Sequence, residues 1–73
     1  MKIDIKYCTE WDYKPNAVSL ADEIRKSLDV NVNLVPGRGG IFDVVVDGNL
    51  IFSKDKTGRF PKPGEVTKEL QPQ

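Results

Sequence analysis

Histidine is missing altogether from the 73 residues, and cysteine occurs once, as Cys8. The first absence removes imidazole catalysis and the commonest metal ligand. The second removes any internal disulfide, so a secreted scaffold stapled by disulfides is excluded and a reducing, cytoplasmic home is expected. One cysteine and scattered carboxylates do not make a metal site, and none is expected. Net charge is missing too. Eleven basic and eleven acidic residues cancel and are spread along the chain, so no nucleic-acid partner is expected without a basic stripe. There is no apolar run of about 20 residues, so nothing here is expected to cross a membrane. Met1-Lys2-Ile3-Asp4-Ile5-Lys6 alternates charged and apolar residues, unlike the continuous apolar stretch of a secretory leader. The length suits one domain, spanning residues 1–73, which would bury roughly 60% of the surface its unfolded form exposes.

What is present is periodic. Ile3, Ile5 and Tyr7 alternate with Lys2, Asp4 and Lys6, which predicts a strand over 2–7 with one buried face. From Pro15 the spacing changes to three and four, through Ala17, Leu20, Ala21, Ile24 and Leu28, which predicts an amphipathic helix to about Asp29. Val30, Val32 and Leu34 alternate with Asn31 and Asn33 in a second strand that stops at Pro36-Gly37-Arg38-Gly39-Gly40. Strand, helix, strand within this length is a βαβ unit with parallel strands. Two more strands, 41–46 and 49–53, flank Asp47-Gly48, a strong type I′ hairpin signal. Residues 54–63, with Gly58, Pro61 and Pro63, read as a loop without regular structure. Pro63 is expected to open a last short helix carrying Val66 and Leu70, after which Gln71-Pro72-Gln73 would fray. The sum is an α/β two-layer sandwich, β-α-β-β-β-α, with sheet order 2-1-3-4. The alternating outer strands place both helices on one face, the apolar third strand is central, and the other sheet face stays partly open.

Cys8 holds the most informative position, between the first strand and the turn leading to the helix. Peptide N–H groups at a helix start stabilise a thiolate and lower its pKa from about 8.5. A lone cysteine is otherwise most often a buried structural thiol. Strand alternation sets Cys8 on the polar side of Tyr7, which favours the redox reading. Glu10 and Asp12 oppose a thiolate there, while Lys6, Lys14 or Arg38 favour it. With no second cysteine, an external thiol must complete any cycle. Trp11 has only Thr9, Glu10 and Asp12 as loop neighbours, so it is expected to be exposed and available for binding. Arg38, Gly39 and Gly40 form either an ordinary turn or a loop that a partner backbone approaches closely, with Arg38 gripping a carboxylate. Phe60, in Gly58-Arg59-Phe60-Pro61, is a further binding candidate whose plainer role is to tie its loop to the core.

Strand, helix, strand and hairpin with a cysteine after the first strand is also the thioredoxin layout. Tyr7-Cys8-Thr9-Glu10-Trp11-Asp12-Tyr13-Lys14-Pro15 resembles the redox loop of the selenoprotein W-like family (the W, T, H or Rdx group), Tyr-Cys-x-x-(Sec or Cys)-x-Tyr-x-Pro. Gly40-Ile41-Phe42-Asp43-Val44, Gly48-Asn49-Leu50-Ile51-Phe52-Ser53-Lys54 and Gly58-Arg59-Phe60-Pro61 are similar to further family motifs, in family order. The resemblance implies a thioredoxin-like fold, thiol redox homeostasis and Cys8 as the first redox residue. The second redox position falls on Trp11, and indole cannot form or resolve a disulfide. The tryptophan codon lies one base from the codon that selenocysteine uses. The function expected is single-thiol chemistry at Cys8, giving a mixed disulfide with glutathione as co-substrate or with a protein thiol, and no other cofactor. Trp11, Arg38, Gly39 and Gly40 would hold the partner. The alternative is a non-enzymatic interaction module that keeps the fold without a redox pair, using Trp11, Arg38 and Phe60. A purely structural subunit is the third reading.

Overall fold

A computed structural model of the protein describes residues 1–70. Its first strand, β1 (Ile3–Cys8), buries Ile3, Ile5 and Tyr7 and turns Asp4 and Lys6 the other way, as period-two alternation requires. Helix α1 (Lys14–Leu28) carries Pro15 in its first turn, where a missing N–H costs nothing. It ends on Asp29, which takes the left-handed conformation (φ 52) and returns its N–H to the Arg25 carbonyl. Ala17, Leu20, Ala21 and Ile24 are its buried stripe.

Strand β2 (Val32–Gly37) starts two residues later than the alternation suggests and continues through Pro36 to Gly37. Proline is tolerated there because β2 is an edge strand. Val30 falls outside the strand but packs against the core. Strands β3 (Phe42–Val46) and β4 (Asn49–Ser53) form the expected hairpin, with positive φ at Asp47 (50) and Gly48 (84), as a type I′ turn needs. The register steps from Val44↔Phe52 to Val45↔Leu50, so Ile51 is the extra residue of a β-bulge.

The sheet order is β2-β1-β3-β4, with β1 parallel to β2 and antiparallel to β3. Two further elements depart from the sequence reading. Lys54–Thr57 forms a one-turn helix, α2, because the glycine and prolines that argued for a loop all lie beyond Thr57. Gly58, at φ 74, closes that turn with its N–H on the Lys54 carbonyl. The last helix, α3 (Glu65–Leu70), begins after Pro63, because Gly64 has φ 80, outside helical space. The expected fraying of Gln71-Pro72-Gln73 lies outside the described residues.

Helices α1 and α3 pack together, and Val66 joins the α1 stripe against Ile3, Ile5, Phe42, Val44 and Phe52. The Glu23 carboxylate of α1 accepts from the Gly64 N–H (3.1 Å) and the Thr67 hydroxyl (2.7 Å). The opposite sheet face leaves Lys6, Asn33 and Leu50 exposed. Among the described residues no helix is long and apolar enough to cross a membrane.

Candidate functional site

The sheet order dictates what meets Cys8. Strands β2 and β3 flank β1, so the connection between them, residues 38–41, must cross the C-terminal end of β1. That is where Cys8 sits. Its N–H donates to the Ile41 carbonyl (2.8 Å), and Thr9 gives both its N–H (3.1 Å) and its hydroxyl (3.2 Å) to the Gly37 carbonyl. The crossing is tight. A Cβ on Gly37 would lie 2.7 Å from Ile41 Cγ2, and one on Gly40 2.5 Å from the Trp11 ring. Gly39 and Gly40 both have positive φ, 71 and 77. The glycine stretch therefore borders the cysteine loop.

Cys8 itself corrects the expectation. Alternation does aim it away from the Ile3, Ile5 and Tyr7 face, yet it is 0% exposed. Residues 9–12 turn back over the strand end, and the Trp11 N–H donates to Cys8 Sγ at 3.3 Å. The donor is thus a turn amide and not a helix amide. α1 starts only at Lys14, the Tyr13 N–H is taken by the Trp11 carbonyl (2.7 Å), and the Ala17 N–H by the Tyr13 carbonyl (3.1 Å). A thiolate sitting openly at a helix N-terminus is not the geometry found.

Trp11 is exposed as expected, at 55%, but it is not without company. Its ring lies on Gly40 and meets Tyr13 edge-on at 5.7 Å. Tyr13 in turn contacts Phe60 at 4.8 Å, and Phe60 contacts Phe42 at 5.1 Å, with Lys54 Nζ 5.6 and 5.4 Å from the Tyr13 and Phe60 rings. Phe60 is half-buried in this aromatic cluster on the core side, which is the loop-anchoring role. It does not line the depression at Cys8. Arg38 is exposed, and among the described residues no ion pair or side-chain hydrogen bond holds it. Glu10, by sequence only a charge near Cys8, uses its Oε1 to accept the Gly39 N–H at 3.2 Å. Nothing in the sequence marked Glu10 for that contact, whereas Gly-Gly near a loop with one large ring was a usable signal for the Trp11 seat. A shallow depression lined by Tyr7, Cys8, Thr9, Glu10, Trp11, Asp12 and Lys14 covers the strand end. Among the described residues no three carboxylates or sulfurs converge to hold a metal ion.

The sequence pattern of the Rdx family matches residues 2–71. The chain belongs to the Rdx family. A selenoprotein W-related protein from Vibrio cholerae has the same fold, with a TM-score of 0.90, 24% identity, and coverage of 94% of this chain and 90% of its own. A Bordetella parapertussis protein is similar at TM-score 0.89 and 29% identity, covering 94% and 91%. No curated protein matches the chain. This Rdx-family protein is thus thioredoxin-like and of a redox-type family, with the selenoprotein W layout that the spaced motifs implied.

Proposed function

We propose that this Rdx-family protein acts through Cys8 as a gated single thiol, reacting when residues 10–12 lift from the end of β1. The carrying observation is that Cys8 Sγ accepts the amide of an exposed turn, and that Cys8, though buried, stands outside the hydrophobic core cluster. Once uncovered, the Cys8 thiolate attacks one sulfur of oxidised glutathione. A Cys8–glutathione disulfide forms, the second glutathione leaves as a thiolate, and an external thiol later releases the first. Trp11 and Arg38, both exposed beside the loop, are the surface on which glutathione or a protein partner rests. An unpaired thiol suits a reducing compartment such as the cytoplasm.

Complete burial of Cys8 beside a half-exposed indole favours a second reading, an interaction module without turnover. Intact-mass spectrometry of the folded protein with oxidised glutathione at neutral pH separates the two. The gated thiol gives an adduct on Cys8 at a rate that rises with glutathione concentration and exceeds the rate of global unfolding. An adduct appearing only as fast as the protein unfolds leaves the interaction module standing.

A further inference from the structure

Two adjacent residues of the loop after β1 lie on two adjacent glycines of the loop before β3. Glu10 accepts the Gly39 N–H at 3.2 Å, and the Trp11 ring covers Gly40 so closely that a Cβ there would come within 2.5 Å of it. We infer that these paired side-chain ties are the latch that keeps Cys8 closed, with Gly40 as the positioning residue that seats Trp11. The inference rests on the gated-thiol reading and names what regulates the gate.

The ties divide by kind. Cys8 and Thr9 are held through backbone bonds to Ile41 and Gly37, which extend the sheet and stay in place when the loop moves. Residues 10 and 11 are held by a carboxylate and a ring. The amide that closes the sulfur belongs to Trp11, so it travels with that ring. Contacts of this kind are individually modest, and segments held by a few of them open locally without unfolding the whole. Gly40 answers two demands at once, a φ of 77 and a missing side chain beneath the indole. Any larger residue pushes the ring off its seat. At the family's second redox position this chain has therefore exchanged a group that reacts for one that covers.

Alkylation of Cys8 by iodoacetamide, without denaturant, tests the latch in wild type, Trp11→Ala, Gly40→Ala and the double variant, with the stability of each from urea melts. Each single change should raise the rate about tenfold, and the double change no more than the larger single one, since both release one contact. In Gly40→Ala, emission of the protein's single tryptophan should shift red and be quenched more readily by acrylamide. A Trp11→Ala rate within about twofold of wild type, or effects that multiply in the double variant, overturns the latch. Should Gly40→Ala fail to fold, Glu10→Ala takes its place as a test of the other tie: it should raise the rate on its own, and a rate within about twofold of wild type overturns the pairing. Failure of the two proposals is distinguishable. A reactive wild type that Trp11→Ala leaves unchanged removes the latch and spares the gated thiol. A closed wild type with a reactive Trp11→Ala supports the latch and removes gating in the native protein.

Discussion

The loop after β1 and the segment after α2 are fastened by one kind of contact, to different depths. In each, a glutamate accepts a glycine N–H, Glu10 from Gly39 at 3.2 Å and Glu23 from Gly64 at 3.1 Å. Around Glu23 much is added. Its second oxygen takes the Thr67 hydroxyl, Arg59 grips Glu65 with two nitrogens at 2.7 and 2.9 Å, and Phe60 sits between Tyr13 and Phe42. Around Glu10 there is one half-exposed indole. This fold keeps its freedom in the sulfur-bearing loop, which has few ties to break, while the C-terminal segment is locked.

Phe60→Ala should loosen the locked segment most. Removing a half-buried ring from an aromatic cluster should cost about 3 kcal/mol, the lower end for phenylalanine deletion. For a domain of this size that lowers the melting temperature on the order of 15 °C, read in thermal and urea melts. A loss under about 1 kcal/mol, ordinary for a surface change, would mean that the segment is not locked by this ring.

Next is Glu23→Ala, which leaves the Gly64 N–H and the buried Thr67 hydroxyl without their acceptor. About 1–2 kcal/mol should be lost. Adding Thr67→Val should restore part of it, because the orphaned hydroxyl is then gone. Hydrogen exchange at α3 should accelerate while Cys8 alkylation, measured below the unfolding transition, stays as in wild type. Faster alkylation would show that the two segments are one cooperative unit.

Trp11→Cys acts on the sulfur-bearing loop by replacing the latch with a covalent bond. The family spacing and the turn that brings the Trp11 N–H to 3.3 Å from Cys8 Sγ both favour an internal disulfide. Oxidised variant should lose both free thiols without dimerising and gain thiol-disulfide turnover that wild type has only weakly. A variant that stays reduced under oxidant would show that the turn lacks the needed geometry. Wild-type turnover equal to the variant's would show that the second sulfur is not limiting.

Strand and helix positions were legible because each periodicity runs long enough to be unambiguous, as in Ile3-Ile5-Tyr7 and in Ala17 to Ile24. The border between the glycine stretch and Cys8 followed from topology. Burial of Cys8 was not legible, since alternation gives a side chain's direction and says nothing about a loop returning over it. The α2 turn was hidden because Gly58 and Pro61 dominate a ten-residue window whose first four residues contain no breaker. The Glu10–Gly39 and Glu23–Gly64 bonds join residues 29 and 41 apart, a separation that no local pattern reports.

The smallest effect belongs to a solvent-facing tie, Arg59–Glu65, and its pH dependence has a definite sign. The Arg59 hydrogen bonds, and after them the Lys62 N–H, draw the Glu65 carboxyl from 4.5 down to about 2. A carboxyl whose folded pKa lies below its unfolded one stabilises the fold fully above the unfolded value. That stabilisation is lost as pH falls through the interval towards the folded value. The melting temperature of wild type minus that of Glu65→Gln should therefore be positive at neutral pH. It should shrink as pH falls from about 4.5 towards 2, and shrink also with added salt, because both groups face water. Cys8 alkylation at neutral pH should be the same in both proteins, since Glu65 fastens only the locked segment. A melting difference that stays flat across the acid range would remove the ion pair from the lock and leave Phe60 and Glu23 to hold it.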